Sequence, residues 1–240
     1  MTAAFLLLVL FVLLLIGVPV AISLGFASIT TMLLFGNQSL LSLAQKFFHT
    51  MHVYPLLAVP FFILAGGFMT TGGVAKRMID FANAIVGHYR GGLAMAALLA
   101  SSFFAAVSGS APATVVAVGS VMIVGMVNSG YSKSFSAGVI CNAGTLGILI
   151  PPSLVMVVYG AITESSIGKL FIAGIVPGMV MTIAMMATIM IIAKRQDLPR
   201  QPKADFGEVV KSFKEASWGL MLIVIILGGI YAGLFTPTEA

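Results

Sequence analysis

The chain has 240 residues, of which 60% are hydrophobic and 8% are charged, whereas an ordinary soluble domain carries about 25% charged residues. This composition excludes a soluble enzyme and indicates an integral membrane protein. The formal net charge is +5, but the basic residues lie in short loops between apolar runs, as the positive-inside rule expects, which argues against nucleic-acid binding.

The apolar runs leave room for about six or seven crossings, because a hydrocarbon core about 30 Å thick takes roughly 20 helical residues. Helices are expected because backbone polar groups find no water partners in lipid. The single cysteine, Cys141, excludes an intrachain disulfide, and no Cys and His cluster has metal-ligand spacing. We therefore expect an all-α membrane protein.

Residues 1–36 are predicted to form two short membrane helices. The uncharged run from Ala3 to Phe35 would be about 50 Å long as one straight helix, and Gly17 and Pro19 offer a break near its middle. One long kinked helix is the alternative. Residues 38–52 place apolar side chains at helical spacing opposite polar ones, which predicts an amphipathic helix lying in the membrane interface.

Residues 53–75 are predicted to form a membrane helix, followed by a basic loop on the cytoplasmic side. Residues 91–127 then contain two apolar limbs of about 15 residues around a small-residue tip at 108–113. Each limb would reach only about 23 Å, so a re-entrant hairpin with its tip near mid-depth is favoured over two full crossings.

Residues 135–163 are predicted to form a discontinuous membrane helix, because Gly144, Gly147, Pro151 and Pro152 cannot sustain a regular helix. A further crossing is expected at residues 170–193. The charged residues 194–215 read as a cytoplasmic linker with an amphipathic helix, and residues 216–240 as a final crossing.

Two irregular segments at membrane depth, the tip and the interrupted helix, are the candidate functional site. Irregular backbone survives in a bilayer only where it is buried in protein or lines a polar cavity, and transporters use such segments to bind Na⁺. The oxygen donors here are neutral, which suits a monovalent cation better than Mg²⁺ or Ca²⁺. A packing seam of small residues is the alternative. The donors are the side chains of Ser108, Ser110, Thr114, Asn142 and Thr145 and the carbonyls around Gly147, Ile150 and Pro152.

Enzymatic and proton-relay functions are disfavoured. The three histidines lie outside the apolar runs, and no run holds a base that could activate Ser108 or Ser110 as a nucleophile. A proton relay would need an ionisable residue inside the bilayer. The sequence therefore predicts no catalytic residue and no organic cofactor.

Several motifs in order along the chain resemble the large membrane subunit of tripartite ATP-independent periplasmic (TRAP) transporters, the DctM-like permease. The resemblance covers essentially the whole chain. It rests on Gly72-Gly73-Val74-Ala75, the tip from Ser108 to Thr114, the stretch from Ala143 to Ser153, Tyr159-Gly160, the segment from Ala173 to Gly178, and the terminal residues Thr236 to Ala240.

The resemblance implies a bacterial inner-membrane, Na⁺-coupled importer of organic acids such as C4-dicarboxylates or sialic acid. It implies an elevator mechanism built from two inverted repeats, each with a re-entrant hairpin and a broken helix. The first Na⁺ site of the family carries over onto Ser108, Ser110, Gly147, Ile150 and Pro152, whereas Thr114, Asn142 and Thr145 are only neighbouring candidates.

The implied partners are a four-helix, DctQ-like small permease subunit and a periplasmic, DctP-like substrate-binding protein. Inverted symmetry places the N-terminus in the periplasm and makes residues 216–240 the first helix of a truncated second repeat. The alternatives are a divalent-anion/Na⁺ symporter that works without a binding protein and a non-transporting membrane scaffold fragment.

Overall fold

The computed structural model describes residues 2–36, 40–51, 54–237 and 239, which form helices and turns without a β-strand. The prediction of an all-α membrane protein is confirmed. Among the described residues, five helical segments are long and apolar enough to cross a membrane: Tyr54–Thr71, Ala111–Asn128, Lys133–Thr163, Ile167–Arg195 and Phe206–Tyr231. Three shorter helices are also apolar: Thr2–Leu15, Val20–Phe35 and Gly92–Ser108.

The chain divides into two compact units, Met1–Val53 and Tyr54–Ala240. In the first unit, helices α1 (Thr2–Leu15) and α2 (Val20–Phe35) pack as an antiparallel pair. The turn between them contains Gly17 at φ +87°, and at the other end the rings of Phe5 and Phe35 lie 5.2 Å apart. The segment is thus two helices rather than one long kinked helix.

Helix α3 (Leu40–Met51) follows in the segment predicted to be amphipathic. The predicted boundaries at residues 1, 38, 52, 53 and 240 lie outside the described residues.

The second unit begins with a 3₁₀ turn, Tyr54–Leu57, and helix α4 (Ala58–Thr71). After Gly72 and Gly73 the chain forms helix α5 (Val74–Val86), where the sequence interpretation had a basic loop. That interpretation relied on the charged residues alone. The apolar residues between them recur at helical spacing and are buried, which is typical of an amphipathic helix. The buried positions are Ala75, Met78, Ile79, Phe81, Ala82 and Val86.

Helices α6 (Gly92–Ser108) and α7 (Ala111–Asn128) form a hairpin with a two-residue turn. The limbs have 17 and 18 residues, about 26 and 27 Å of helix, so the expected 15-residue limbs and the six-residue tip were wrong. The limb-length argument for a re-entrant hairpin therefore fails, because α7 is long enough to cross. The re-entrant arrangement stays a proposal.

Helix α6 is the centre of the second unit. Fourteen of its 17 residues are buried, so protein surrounds it on nearly every side. Its neighbours in one core cluster come from α5, α7, α8, α9 and α11, and a second cluster joins α4, α10, α11 and α12. Because protein and not lipid surrounds this limb, the hydroxyl and backbone polar groups at its end can be buried without facing hydrocarbon.

The interrupted helix consists of α8 (Lys133–Gly144), α9 (Leu146–Leu149) and α10 (Leu154–Thr163). Thr145 keeps helical angles, φ −62° and ψ −21°, so the chain stays helical up to Leu149. The predicted break over residues 142–152 is therefore narrowed to residues 150–153. The prolines cause it, because neither Pro151 nor Pro152 can donate a backbone hydrogen bond.

Helix α11 (Ile167–Arg195) contains Pro177 and spans the predicted crossing at 170–193. Helix α12 (Phe206–Tyr231) runs without interruption across the predicted boundary between the linker and the final crossing at 215 and 216. Its N-terminus has a capping box formed by Asp205 and Glu208. The amphipathic helix predicted in the linker and the predicted final crossing are therefore parts of one continuous helix.

The connection between α11 and α12 is tied to the base of the hairpin. The Tyr131 hydroxyl donates to the carbonyl of Pro199 at 3.2 Å, and the Gln201 N–H donates to the carbonyl of Gly87 at 3.2 Å. The Asn83 amide also donates to Gln201 at 2.7 Å. These contacts hold the chain that leads into the hairpin and the chain that leaves it against the connection between α11 and α12.

Candidate functional site at the hairpin tip

The hairpin tip and the helix break are in direct backbone contact. The Leu154 N–H, at the start of α10, donates to the Gly109 carbonyl at 3.0 Å. Gly109 has φ +59°, and a Cβ atom there would lie 2.6 Å from the Pro152 carbonyl oxygen. Only glycine satisfies both this left-handed conformation and this close approach.

A second close contact joins α9 to the tip. A Cβ atom on Gly147 would lie 2.8 Å from the Ala111 nitrogen and 3.0 Å from the Ser110 carbonyl oxygen. Because those atoms are backbone, no side-chain rotation could make room. The structure therefore brings together four of the five residues expected at the site, namely Ser108, Ser110, Gly147 and Pro152.

The hydroxyl groups at the tip form a short network. The Thr114 hydroxyl donates to the Ser110 carbonyl at 2.9 Å, so its single proton is used. In the 3.2 Å contact between the Ser108 and Thr114 hydroxyls, Ser108 is therefore the donor. Ser108 and Thr114 are buried, with 1% and 0% of their surfaces exposed. The Ser108 oxygen also accepts a long hydrogen bond of 3.5 Å from the Ser110 N–H, which leaves one lone pair for another ligand.

Ser110 is half-buried and is the N-cap residue of α7, where its hydroxyl accepts a long hydrogen bond of 3.5 Å from the Ala113 N–H. Ser108 lies against α4, because a Cβ atom on Gly66 would be 3.6 Å from the Ser108 Cβ. Helix α4 thus packs directly against the tip.

The break contains more hydrogen-bond acceptors than donors. The carbonyls of Gly147 and Ile148 lose their helical partners because the residues four positions later are Pro151 and Pro152. Within the described chain, no N–H group donates to the carbonyls of Ile150, Pro151 or Pro152. Buried carbonyls without donors are costly, and a cation is one ligand that satisfies several of them together.

Two sequence-derived candidates, Asn142 and Thr145, are exposed rather than buried with this cluster. The Asn142 amide NH₂ donates to the Gly138 carbonyl at 2.8 Å and the Thr145 hydroxyl donates to the Asn142 carbonyl at 2.7 Å. These bonds orient both side chains along their own helix, although their oxygens can still accept. The Ile150 side chain packs towards Gly178 of α11, which leaves only its carbonyl for the site.

Ser153 was missed as a candidate, although it directly follows the proline pair. It is the N-cap residue of α10 but makes no side-chain cap hydrogen bond. Its hydroxyl is buried, and the described chain offers it no hydrogen-bond partner. The sequence did contain a signal for it, because a serine directly after a helix break and before an apolar run is a candidate N-cap residue.

The comparisons with known proteins agree with this architecture. The family described as "Tripartite ATP-independent periplasmic transporter, DctM component" matches residues 7–240. A C4-dicarboxylate TRAP transporter large permease protein DctM from Pseudomonas aeruginosa is 62% identical over 218 residues, which is 91% of this chain and 51% of the relative.

Proteins with the same name from two other bacteria are also similar. The Vibrio cholerae protein is 57% identical over 100% of this chain and 53% of its own length, and the Rhodobacter capsulatus protein is 49% identical over 95% and 55%. The chain thus spans about half the length of the curated relatives it matches. It belongs to the DctM family of TRAP transporter large permeases, which are membrane transport proteins and not enzymes.

Proposed function

We propose that this chain forms part of a Na⁺-coupled importer of organic acids in the bacterial inner membrane. The observation that carries the proposal is the cluster of neutral oxygens where the tip contacts the break. The hydroxyls of Ser108 and Ser110 and the carbonyls of Gly147, Ile150 and Pro152 supply its ligands.

The oxygens in this cluster fit Na⁺ as the transported co-substrate. They carry no formal charge, so a monovalent ion can bind and leave during each cycle, whereas a carboxylate cage would favour tight binding of divalent ions. The carbonyl oxygens at the break that have no N–H donor attract the cation electrostatically. The helices that enclose the tip exclude lipid from the site. The ion bridges the hairpin and the broken helix, which couples its binding to their relative position.

The substrate we propose is a C4-dicarboxylate, because the three similar relatives described above carry that name; a sialic-acid-like substrate is the alternative within organic acids. The partners are a DctQ-like small subunit and a DctP-like binding protein, and the N-terminus is periplasmic. Transport follows an elevator motion that requires two inverted repeats.

Transport is tested in a composite permease, in which this chain replaces the matching portion of the Vibrio cholerae relative. We expect uptake of labelled succinate into proteoliposomes only with an inward Na⁺ gradient, the binding protein and the small subunit. An equal K⁺ gradient is the matched control. Equal uptake under both gradients would contradict Na⁺ coupling, and saturation by sialic acid rather than succinate would reverse the substrate assignment.

The re-entrant orientation of the hairpin makes its own prediction. After Cys141→Ser removes the native thiol, which is exposed, single cysteines replace Lys133 at the base and Ser110 at the tip. We expect impermeant thiol reagent to label Lys133→Cys only from the cytoplasm and Ser110→Cys weakly from either side. Ready periplasmic labelling of Ser110→Cys in every transport state would instead show two full crossings.

A further inference from the structure

Ser153 carries a buried hydroxyl that stands out among the polar groups of the break. Its relative exposure is 1%, and within the described residues its oxygen has no hydrogen-bond partner. An unpaired buried hydroxyl costs about 1–3 kcal/mol. A serine that directly precedes a helix normally recovers this energy by capping the first turn, but Ser153 makes no such bond.

The position of Ser153 places it beside the tip. Its two chain neighbours both contact Gly109, since the Leu154 N–H donates to the Gly109 carbonyl at 3.0 Å and the Pro152 carbonyl oxygen lies 2.6 Å from where a Gly109 Cβ would stand. Ser153 therefore lies in the stretch of backbone that faces the hairpin turn.

The surroundings decide what the hydroxyl can bind. Carbonyl oxygens without donors dominate the break, because two prolines remove N–H groups and the Leu154 N–H is already used by Gly109. Such an acceptor-rich environment repels an anion and attracts a cation. The hydroxyl oxygen has two lone pairs with which to add to the carbonyl ligands.

We propose that the Ser153 hydroxyl is a further ligand of the Na⁺ bound between tip and break. The inference rests on the proposed function and extends the ligand set from the tip hydroxyls and the break carbonyls to the N-cap residue of α10. Ion binding would then fix the start of α10 as well as the tip, so that both halves of the broken helix respond to Na⁺.

The test replaces Ser153 with alanine in the composite permease. We expect the Na⁺ concentration for half-maximal uptake to rise at least about fivefold, an effect of about 1 kcal/mol. In choline buffer the unfolding temperature should be equal or higher, because an unpaired polar group has been removed. The rise in unfolding temperature on adding Na⁺ should shrink.

Ser153→Cys provides a second variant of similar volume, because a thiol is a poor Na⁺ ligand but fills the same space; it should shift the Na⁺ dependence in the same direction. Ser101→Ala is the matched control. Ser101 also has a buried hydroxyl without a partner among the described residues, but it lies two turns along α6 from Ser108, and we expect its loss to leave the Na⁺ dependence unchanged.

The outcomes separate this inference from the proposed function. If Ser108→Ala shifts the Na⁺ dependence and Ser153→Ala does not, the site stands and the Ser153 ligand is overturned. If neither shifts it, the cation site itself is wrong. A lower unfolding temperature of Ser153→Ala in choline would show a structural hydroxyl and overturn the ligand role, as would an equal Na⁺ shift in Ser101→Ala.

Discussion

Gly147→Ala is expected to destabilise the protein and to disrupt Na⁺-driven uptake. The new Cβ atom would lie 2.8 Å from the Ala111 nitrogen and 2.8 Å from the Ser110 carbonyl carbon, so α9 or the hairpin tip must move. Overpacking of this kind costs about 1–3 kcal/mol. The movement also separates the carbonyls of the break from the tip hydroxyls, so the substitution should weaken Na⁺ binding together with stability.

Gly138→Ala is the matched control for this prediction. Gly138 lies in α8, and a Cβ atom there would meet no atom within 4 Å. Alanine is a better helix former than glycine by about 1 kcal/mol, so this variant should unfold at an equal or higher temperature. Unfolding temperatures and uptake are measured for both variants in the composite permease. If both variants unfold at the same temperature, the contact between α9 and the tip is absent in the protein.

Ser108→Ala is expected to raise the Na⁺ concentration for half-maximal uptake about tenfold, equivalent to about 1.4 kcal/mol, with little loss of stability. The Thr114 hydroxyl keeps its own hydrogen bond to the Ser110 carbonyl, so the tip retains its main contact. Ser110→Ala should shift the Na⁺ dependence in the same direction, but it also removes the N-cap contact of α7 and is the less selective variant.

Ser120→Ala controls for the loss of a serine hydroxyl from the hairpin. Ser120 lies in α7, is exposed, and donates within its own helix to Ala117 at 3.2 Å. Its replacement should leave both uptake and Na⁺ dependence unchanged. An unaltered Na⁺ response in Ser108→Ala and Ser110→Ala alike would remove these two residues from the site.

Composition determined the fold class by itself. A chain with 8% charged residues and long uncharged runs can satisfy its backbone in lipid only as helices or a closed barrel, and the runs have helical length. The sequence also located the hairpin and the interrupted helix. Glycine and proline change the conformation of the local backbone whatever residues pack around them. Ser108, Ser110, Gly147 and Pro152, which the structure places where the tip meets the break, could therefore be named as candidates from sequence and motif.

Only the tertiary structure decided how far each irregularity extends and which oxygens meet. Thr145 stays helical although Gly144 precedes it, because packing overrides a weak local preference. The apolar residues of α5 recur at helical spacing in the sequence, but only the fold shows that neighbouring helices bury them. The sequence also did not show which polar groups are already paired. The Asn142 amide and the Thr145 hydroxyl donate to carbonyls of α8, whereas the Ser153 hydroxyl has no partner among the described residues. Only the folded backbone distinguishes these cases, because it decides which donor and acceptor atoms come within hydrogen-bond distance.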